Sequence, residues 1–420
     1  MKIVQTATWL IAVGLAAGAG VSSYVIANEV KAPAAAHAIG FPPAGTVKAN
    51  FAALSYAVRK SREPGALVND VESASAREAY ASEPLSSAAL GLIIPALRVE
   101  ERRNEVLALA GKLSRRNAMI NEEQIKLAAA RGDDAEFFRW LSRSVLTNNE
   151  LRARYVGAMA EATAREGAVT ALAPVVGTNP AWANYYWRQV LLRPASLPNA
   201  ARLRRAIVAA PWRQTGIQET DQALVLALVN RSHFEAARDL AAGLRDAPSR
   251  QAPDILVNGD FARQPLLAPF DWQLAVSGTL GATIDEKQKL LTVSAIGGAR
   301  GYAARQLVQL SPGHYRLMWA LSSSAPIAPS ALSARIYCAE RGAPSDTPVS
   351  LPLTSGDGVA SVNIPDGVCR WHWFSVSVNL PDGSPGVDAY FRKIFLVPAT
   401  EGGSSAPNTK TERTSSSAPN

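Results

Sequence analysis

The stretch Cys369-Arg370-Trp371-His372-Trp373-Phe374-Ser375-Val376-Ser377-Val378-Asn379-Leu380 decides the fold of the C-terminal part of the chain. It contains no glycine or proline, it is rich in aromatic and β-branched residues, and Ser375 and Ser377 alternate with Phe374, Val376 and Val378. Period-2 alternation of this kind reads as a strand. Segments 290–294, 304–310, 314–321, 332–338, 359–364 and 389–397 share the texture and are separated by Gly, Pro, Ser and Asp. Short strands at this spacing predict an antiparallel β-sandwich of the jelly-roll type over residues 254–398.

Upstream the texture changes. Ala247, Pro248 and Pro253 form a hinge, and before it apolar residues recur at three- and four-residue spacing, as in Phe137, Phe138, Leu141 and Val145. That periodicity predicts helices over residues 50–246. A repeat runs through them. Ala130-Arg131-Gly132-Asp133-Asp134-Ala135, followed by Phe137-Phe138, returns as Arg165-Glu166-Gly167-Ala168 followed by Ala171-Leu172, with the glycines 35 residues apart. A third echo, Asn230-Arg231-Ser232-His233-Phe234-Glu235-Ala236-Ala237, follows downstream, and Asn117, Asn148 and Asn179 mark helix ends at a similar period. Helix, glycine turn, helix, break describes a hairpin array, with Pro194, Pro198 and Pro211 disturbing its middle. The fold class is therefore multidomain, α then β.

The ends of the chain set its compartment. Residues 1–28 carry Lys2 and then an uncharged apolar run through Trp9, Leu10, Ile11, Val13, Leu15, Val21 and Ile26, closed by Glu29. Two readings stay open: a single-pass membrane anchor through residues 3–27, or a signal peptide cleaved near Ala27. In both, the body is exported; with Lys2 inside, an anchored chain sits N-in in the inner membrane with a periplasmic body. Residues 29–49 read as an Ala/Pro/Gly linker, and 399–420, rich in Ser, Thr, Pro and Gly, as a disordered tail. The chain has only two cysteines, Cys338 and Cys369, and in an exported domain they are expected to form one disulfide.

The net charge of +8 arises from 43 basic and 35 acidic residues. Much of the excess is arginine in the helical half (Arg98, Arg102, Arg103, Arg115, Arg116, Arg202, Arg204 and Arg205), which reads first as a solvated helical face, with anionic polymers or lipid headgroups as the alternative. Nucleic acid does not suit an exported chain. The four histidines, His37, His233, His314 and His372, are scattered, and no metalloprotease, nucleophile-elbow or P-loop spacing occurs. Neither a catalytic residue, nor a cofactor, nor a metal ligand set is expected.

The repeat pattern of residues 50–246 resembles tetratricopeptide-type helical hairpins. Ile255-Leu256-Val257-Asn258-Gly259-Asp260-Phe261 with Phe270-Asp271-Trp272 resembles the opening of carbohydrate-binding-module jelly rolls, and residues 387–396 resemble their closing strand. Ser114-Arg115-Arg116 and Pro211-Trp212-Arg213 match two short motifs of exported tetratricopeptide-repeat proteins associated with bacterial exopolysaccharide production. These resemblances imply a non-catalytic periplasmic adaptor that binds an envelope protein of polysaccharide assembly through its repeats. The alternative they leave is an envelope glycan-binding protein acting through the sandwich, with the repeats as a spacer.

Candidate site residues follow from chemistry. In the helical half, Tyr185, Tyr186 and Arg188, with Tyr155 and Arg152, combine large contact area with a polar handle and are the candidate partner-binding residues. On the strand quoted above, Trp371 and Trp373 project from one sheet face, where they either stack on a pyranose ring or pack into a core, and His372, on the opposite face, is either exposed to solvent or satisfied locally. Asn258-Gly259-Asp260 forms a turn, either a hydrogen-bonded Asx turn or a holder of structural calcium.

Overall fold

The computed structural model describes residues 2–40, 45–245, 254–324, 326–340, 348–367 and 369–399. The hinge 247–253 and the tail from residue 400 onward lie outside them. The chain folds as two compact units, Met1–Gln214 and Thr215–Asn420.

The first unit is helical: α1 (Lys2–Asn28), α2 (Pro33–Ile39), α3 (Gly45–Arg62), α4 (Asp70–Ser82), α5 (Ser87–Ala96), α6 (Glu100–Leu113), α7 (Ala118–Arg131), α8 (Asp134–Thr147), α9 (Arg152–Ala162), α10 (Ala168–Val176), α11 (Ala183–Leu191) and α12 (Leu197–Val208). Within α1, Thr6–Asn28 is long and apolar enough to cross a membrane, and Trp9, Leu10, Ile11 and Leu15 stand exposed on it. The linker expected at 29–49 is instead largely helical. Pro33 stands at the start of α2, an alanine run follows, Gly40 closes the helix in the left-handed region, and Ala36 buries against Val25 and Val47.

Helices pack on their immediate and next-but-one neighbours: α3 on α4 and α5, α5 on α6 and α7, α8 on α9 and α10, α9 on α11, and α10 on α12. This local ladder is the pairing of a hairpin array. Its turns fall where the repeat predicts them. Gly132 (φ +66°) ends α7 and Gly167 (φ +78°) precedes α10, both in the left-handed region that a Cβ disfavours. Of the asparagines read as helix ends, Asn148 follows α8 and Asn179 (φ +50°) follows α10, while Asn117 starts a helix, its side chain accepting the Met119 and Ile120 N–H groups of α7. Arg204, expected on the solvated face, is buried at 1% exposure and donates from Nη1 to the Gln214 carbonyl at 2.7 Å.

The second unit opens with a helical hairpin, α13 (Glu219–Val229) and α14 (Phe234–Leu244), whose turn carries Ser232 at φ +61°, at the third echo of the repeat. Its strands are β1 (Gln273–Leu274), β2 (Leu280–Asp285), β3 (Leu290–Ala295), β4 (Arg300–Gln309), β5 (Gly313–Ser323), β6 (Leu332–Cys338), β7 (Val349–Pro352), β8 (Gly356–Ile364), β9 (Trp371–Asn379) and β10 (Val387–Pro398). They form two antiparallel five-stranded sheets, ordered β1-β4-β9-β6-β7 and β2-β3-β10-β5-β8.

Between the sheets lies one core. Phe374, Val376 and Val378 of β9 meet Phe391, Ile394 and Leu396 of β10, and Phe261 and Trp272 close one end. The segment before β1 is tied in by polar groups: the Gln306 side chain accepts from the Val257 N–H at 3.0 Å and donates to its carbonyl at 2.7 Å. Buried Asp271 pairs with Arg263 at 2.6 Å. The compact units thus divide between 214 and 215, whereas the change of sequence texture falls near 247; α13 and α14 read as repeat, yet they pack on the sandwich.

Candidate functional site

Strand parity on the first sheet defines two faces. Opposite residues in an antiparallel pair share a face, so three rows cross the outer surface: Tyr302–Ser377–Ser333–Pro352, Arg305–Ser375–Arg335–Ser350, and Leu307–Trp373–Tyr337. Trp371, opposite Gln309, stands on the same face one step further along β9. The two tryptophans therefore do share a face, as alternation predicts, but they meet different surroundings.

Trp371 is buried at 2% exposure beneath the α13–α14 hairpin. Its ring lies 5.7 Å from Phe234 and 6.0 Å from Phe270, centroid to centroid, and its indole N–H donates to Glu235 Oε1 at 3.2 Å. The same N–H holds the Glu235 carboxyl below its ordinary pKa against the opposing effect of desolvation. Arg238 reaches over the ring at 5.7 Å and donates to Gln309 Oε1 at 2.8 Å, and Gln222 donates to the Ala268 carbonyl at 2.7 Å. Trp371 is thus the seat of a helical hairpin and is closed to a sugar ring.

Trp373 remains partly exposed. The Arg305 guanidinium lies 4.0 Å from the Tyr302 ring centroid and 4.2 Å from that of Trp373, with its Nε donating to Gln273 Oε1 at 2.8 Å. A planar cation held between two aromatic faces is attracted to both ring quadrupoles and is fixed in orientation. Beyond this stack the face opens into a groove of about 550 Å³, lined by Arg300, Ser333, Arg335, Ser350, Ser377 and Asn379 among others, with no carboxylate in its lining among the described residues. Small hydroxyl side chains line it, Ser330, Ser333, Ser350 and Ser377, and Ser377 Oγ lies 3.1 Å from that of the buried Ser375. Such a surface offers planar apolar rings beside donors and acceptors at several points, the chemistry that a polyhydroxylated, locally flat ligand requires.

The sequence-predicted residues are placed as follows. Cys338 and Cys369 are joined, with Cα atoms 6.0 Å apart, at the end of the sheet where Trp371 lies, and a disulfide fits an oxidising compartment. His372 is buried at 5% exposure rather than facing solvent, because its face of β9 looks toward the other sheet. Asn258 (φ +59°) spends its side chain on a loop bond five residues on, accepting from the Arg263 N–H at 3.3 Å and donating to its carbonyl at 2.8 Å, which is not the two-residue bond of an Asx turn. No cluster of His, Cys, Asp or Glu suited to a metal occurs among the described residues.

In the helical unit, Tyr186 is buried at 0% exposure with its hydroxyl 2.7 Å from Thr163 Oγ1, and burial pushes its phenol pKa up. Tyr155 is buried as well, at 9%. Both are packing residues, which corrects their reading as partner contacts. Arg152 and Arg188 are exposed and Tyr185 partly so.

Sequence reasoning missed Tyr302, Arg305, Arg300 and Arg335. For Arg335 the signal was present: Ser333, Arg335 and Tyr337 are the alternate positions of a strand whose other face is apolar. For Tyr302 and Arg305 it was hidden by an irregularity between Tyr302 and Ala304, which shifts the parity of β4.

No protein-family model and no curated protein matches the chain. Solved structures that match do so over the sandwich portion. A family 4 carbohydrate-binding module is 15% identical, with 34% of this chain and 99% of that chain covered and a TM-score of 0.26. A family 61 module in complex with β-1,4-galactotriose is 12% identical over 35% and 99%, TM-score 0.24, and a family 16 module 18% identical over 30% and 99%, TM-score 0.21. At such scores and identities the likeness carries nothing about what this chain binds.

Proposed function

We propose that the protein is a non-catalytic envelope protein that binds polysaccharide on the open half of the first sheet, anchored N-in in the inner membrane by α1, with the helical unit as its spacer and scaffold in exopolysaccharide assembly or export. The observation that carries this reading is the juxtaposition of the Tyr302–Arg305–Trp373 stack with a hydroxyl-lined groove on one exposed sheet face. Polysaccharides are recognised by such a pairing of apolar ring faces with distributed hydrogen bonds. The helical unit supports a partner-binding role less strongly, since Tyr155 and Tyr186 are spent on packing and leave Arg152, Tyr185 and Arg188 at the surface.

The test is affinity electrophoresis of the full-length protein in detergent through gels containing neutral and acidic polysaccharides. At least one polymer is expected to retard it. Trp373→Ala should weaken that retardation about tenfold, while Arg188→Ala leaves it unchanged. Full retention of binding by both Trp373→Ala and Tyr302→Ala, with folding intact, would refute the assignment of this face.

A further inference from the structure

Resting on that reading, we infer that the groove is built for an acidic polysaccharide, one whose repeating unit carries carboxylates, with Arg300, Arg305 and Arg335 as the groups that select it. Arg300 and Arg335 line the groove, and Arg305 stands beside it on the same sheet face. Arg305 and Arg335 stand on either side of Ser375, two strand spacings or roughly 10 Å apart at the backbone. Arg300, opposite Asn379, stands at the start of β4 in the lining of the groove. Arg300 and Arg335 are exposed, and none of the three makes an ion pair among the described residues. Elsewhere in this unit Arg263 pairs with Asp271, Arg370 with Glu235 and Lys393 with Asp357, while Lys287, Lys289, Arg316 and Arg392 also form no ion pair among the described residues, so it is the placing of Arg300, Arg305 and Arg335 on one face that sets them apart.

A neutral glycan would gain little from this arrangement and would leave three like charges on one sheet face. A carboxylate matches each guanidinium by a planar, bidentate, charge-assisted hydrogen bond. Arg305 is the most constrained of the three, since its fork is oriented by Tyr302, Trp373 and Gln273 before ligand arrives. Arg300 and Arg335 are the flexible pair, suited to reach carboxylates on successive sugars. The selectivity lies in spacing as well as charge, because the small serines that line the groove admit a polymer lying flat across the strands.

The decisive experiment is calorimetric titration of the full-length protein with alginate, polygalacturonate and hyaluronan. Each is compared with its carboxyl-reduced form, and a neutral β-glucan, polyglutamate and single-stranded DNA are added. At least one acidic polysaccharide should bind about tenfold or more tightly than its carboxyl-reduced form. The preference should shrink as salt rises from about 0.1 M to about 1 M, where the screening length falls from about 10 Å to about 3 Å. Arg300→Ala with Arg335→Ala should cut the ratio of acidic to reduced affinity about tenfold, while Arg300→Lys with Arg335→Lys retains part of the preference. Equal affinity for an acidic polymer and its reduced form, or binding of the neutral glucan alone, overturns this inference and leaves glycan binding intact. Equal affinity for polyglutamate or DNA also overturns it, since the face would then be a general cation surface. Failure to bind any polysaccharide overturns the glycan reading itself.

Discussion

Replacing Trp371 by alanine tests whether the α13–α14 hairpin is held on the sandwich by one side chain. The ring is almost fully buried against Phe234 and Phe270, and its N–H is spent on Glu235. Truncating a buried tryptophan costs about 3 to 5 kcal/mol in lost burial and cavity formation. The bond to Glu235, whose side chain is 54% exposed, contributes about 1 kcal/mol of that at most. For a unit of this size, 1 kcal/mol shifts the melting temperature by about 2 to 4 °C, so the second unit should melt about 10 °C lower. Trp371→Phe, which keeps a ring and loses the donor, should fall in between. Trp373→Ala, on the open face, should cost about 1 kcal/mol. Scanning calorimetry gives the melting shift, and amide hydrogen exchange over residues 219–244 reports whether the hairpin loosens selectively. A shift under about 2 °C, or unchanged protection of α13 and α14, would show that the hairpin is held by other contacts and that the account of Trp371 is wrong.

Reduction of the Cys338–Cys369 bond, which closes a separation of 31 residues, should destabilise the sandwich by about 3 to 4 kcal/mol on the chain-entropy account; thiol counting before and after reduction, with melting curves for both forms, checks this, and two reactive thiols in native protein would refute the pairing. Asp254 accepts the Leu256 and Leu396 N–H groups at 3.1 Å each, yet burial, with Asp260 nearby, raises its pKa from 3.8 to about 6. Because the folded chain then holds a proton that the unfolded chain releases, its contribution to stability is full below about pH 4, is lost as pH rises through about 6, and is flat above. Solvent screening of a partly exposed carboxyl holds the difference to about 1 to 2 kcal/mol. Asp254→Asn should remove this slope from the melting temperature between pH 4 and 7, and a parallel pH profile for the two proteins would refute it.

Much of the architecture was legible because it rests on short-range chemistry. Gly132, Gly167 and Ser232 mark hairpin turns since a helix ends where the backbone enters the left-handed region, a choice made by the residue and its neighbours. The strands read at 290–294, 314–321, 332–338 and 389–397 all fall within observed ones, because alternation records which face meets the core. Three strands were not read: β1 has two residues, β7 is a four-residue strand closed by Pro352, and β2 is diluted by Gly281 and Ala282. The helix α2 was lost to a local bias, since alanine, proline and glycine together suggest a linker until Ala36 is seen to bury against Val25 and Val47.

The sequence by itself determined that helices precede strands, that an apolar N-terminal helix leads them, that two cysteines pair, and that Trp371 and Trp373 share a face. These are properties of periodicity and residue chemistry, and they survive any arrangement of the elements in space. Only the tertiary structure decided which tryptophan is available and which arginines surround it. A period of two states that two side chains share a face but not what lies above that face. Trp371 is covered because α14 places Phe234 and Glu235 over it, from a position 136 residues away in the chain. Arg305 stands beside Trp373 because β4 pairs with β9 after an irregularity that alternation cannot register. Burial and charge at a site are sums over non-local neighbours, and no window of sequence contains those neighbours.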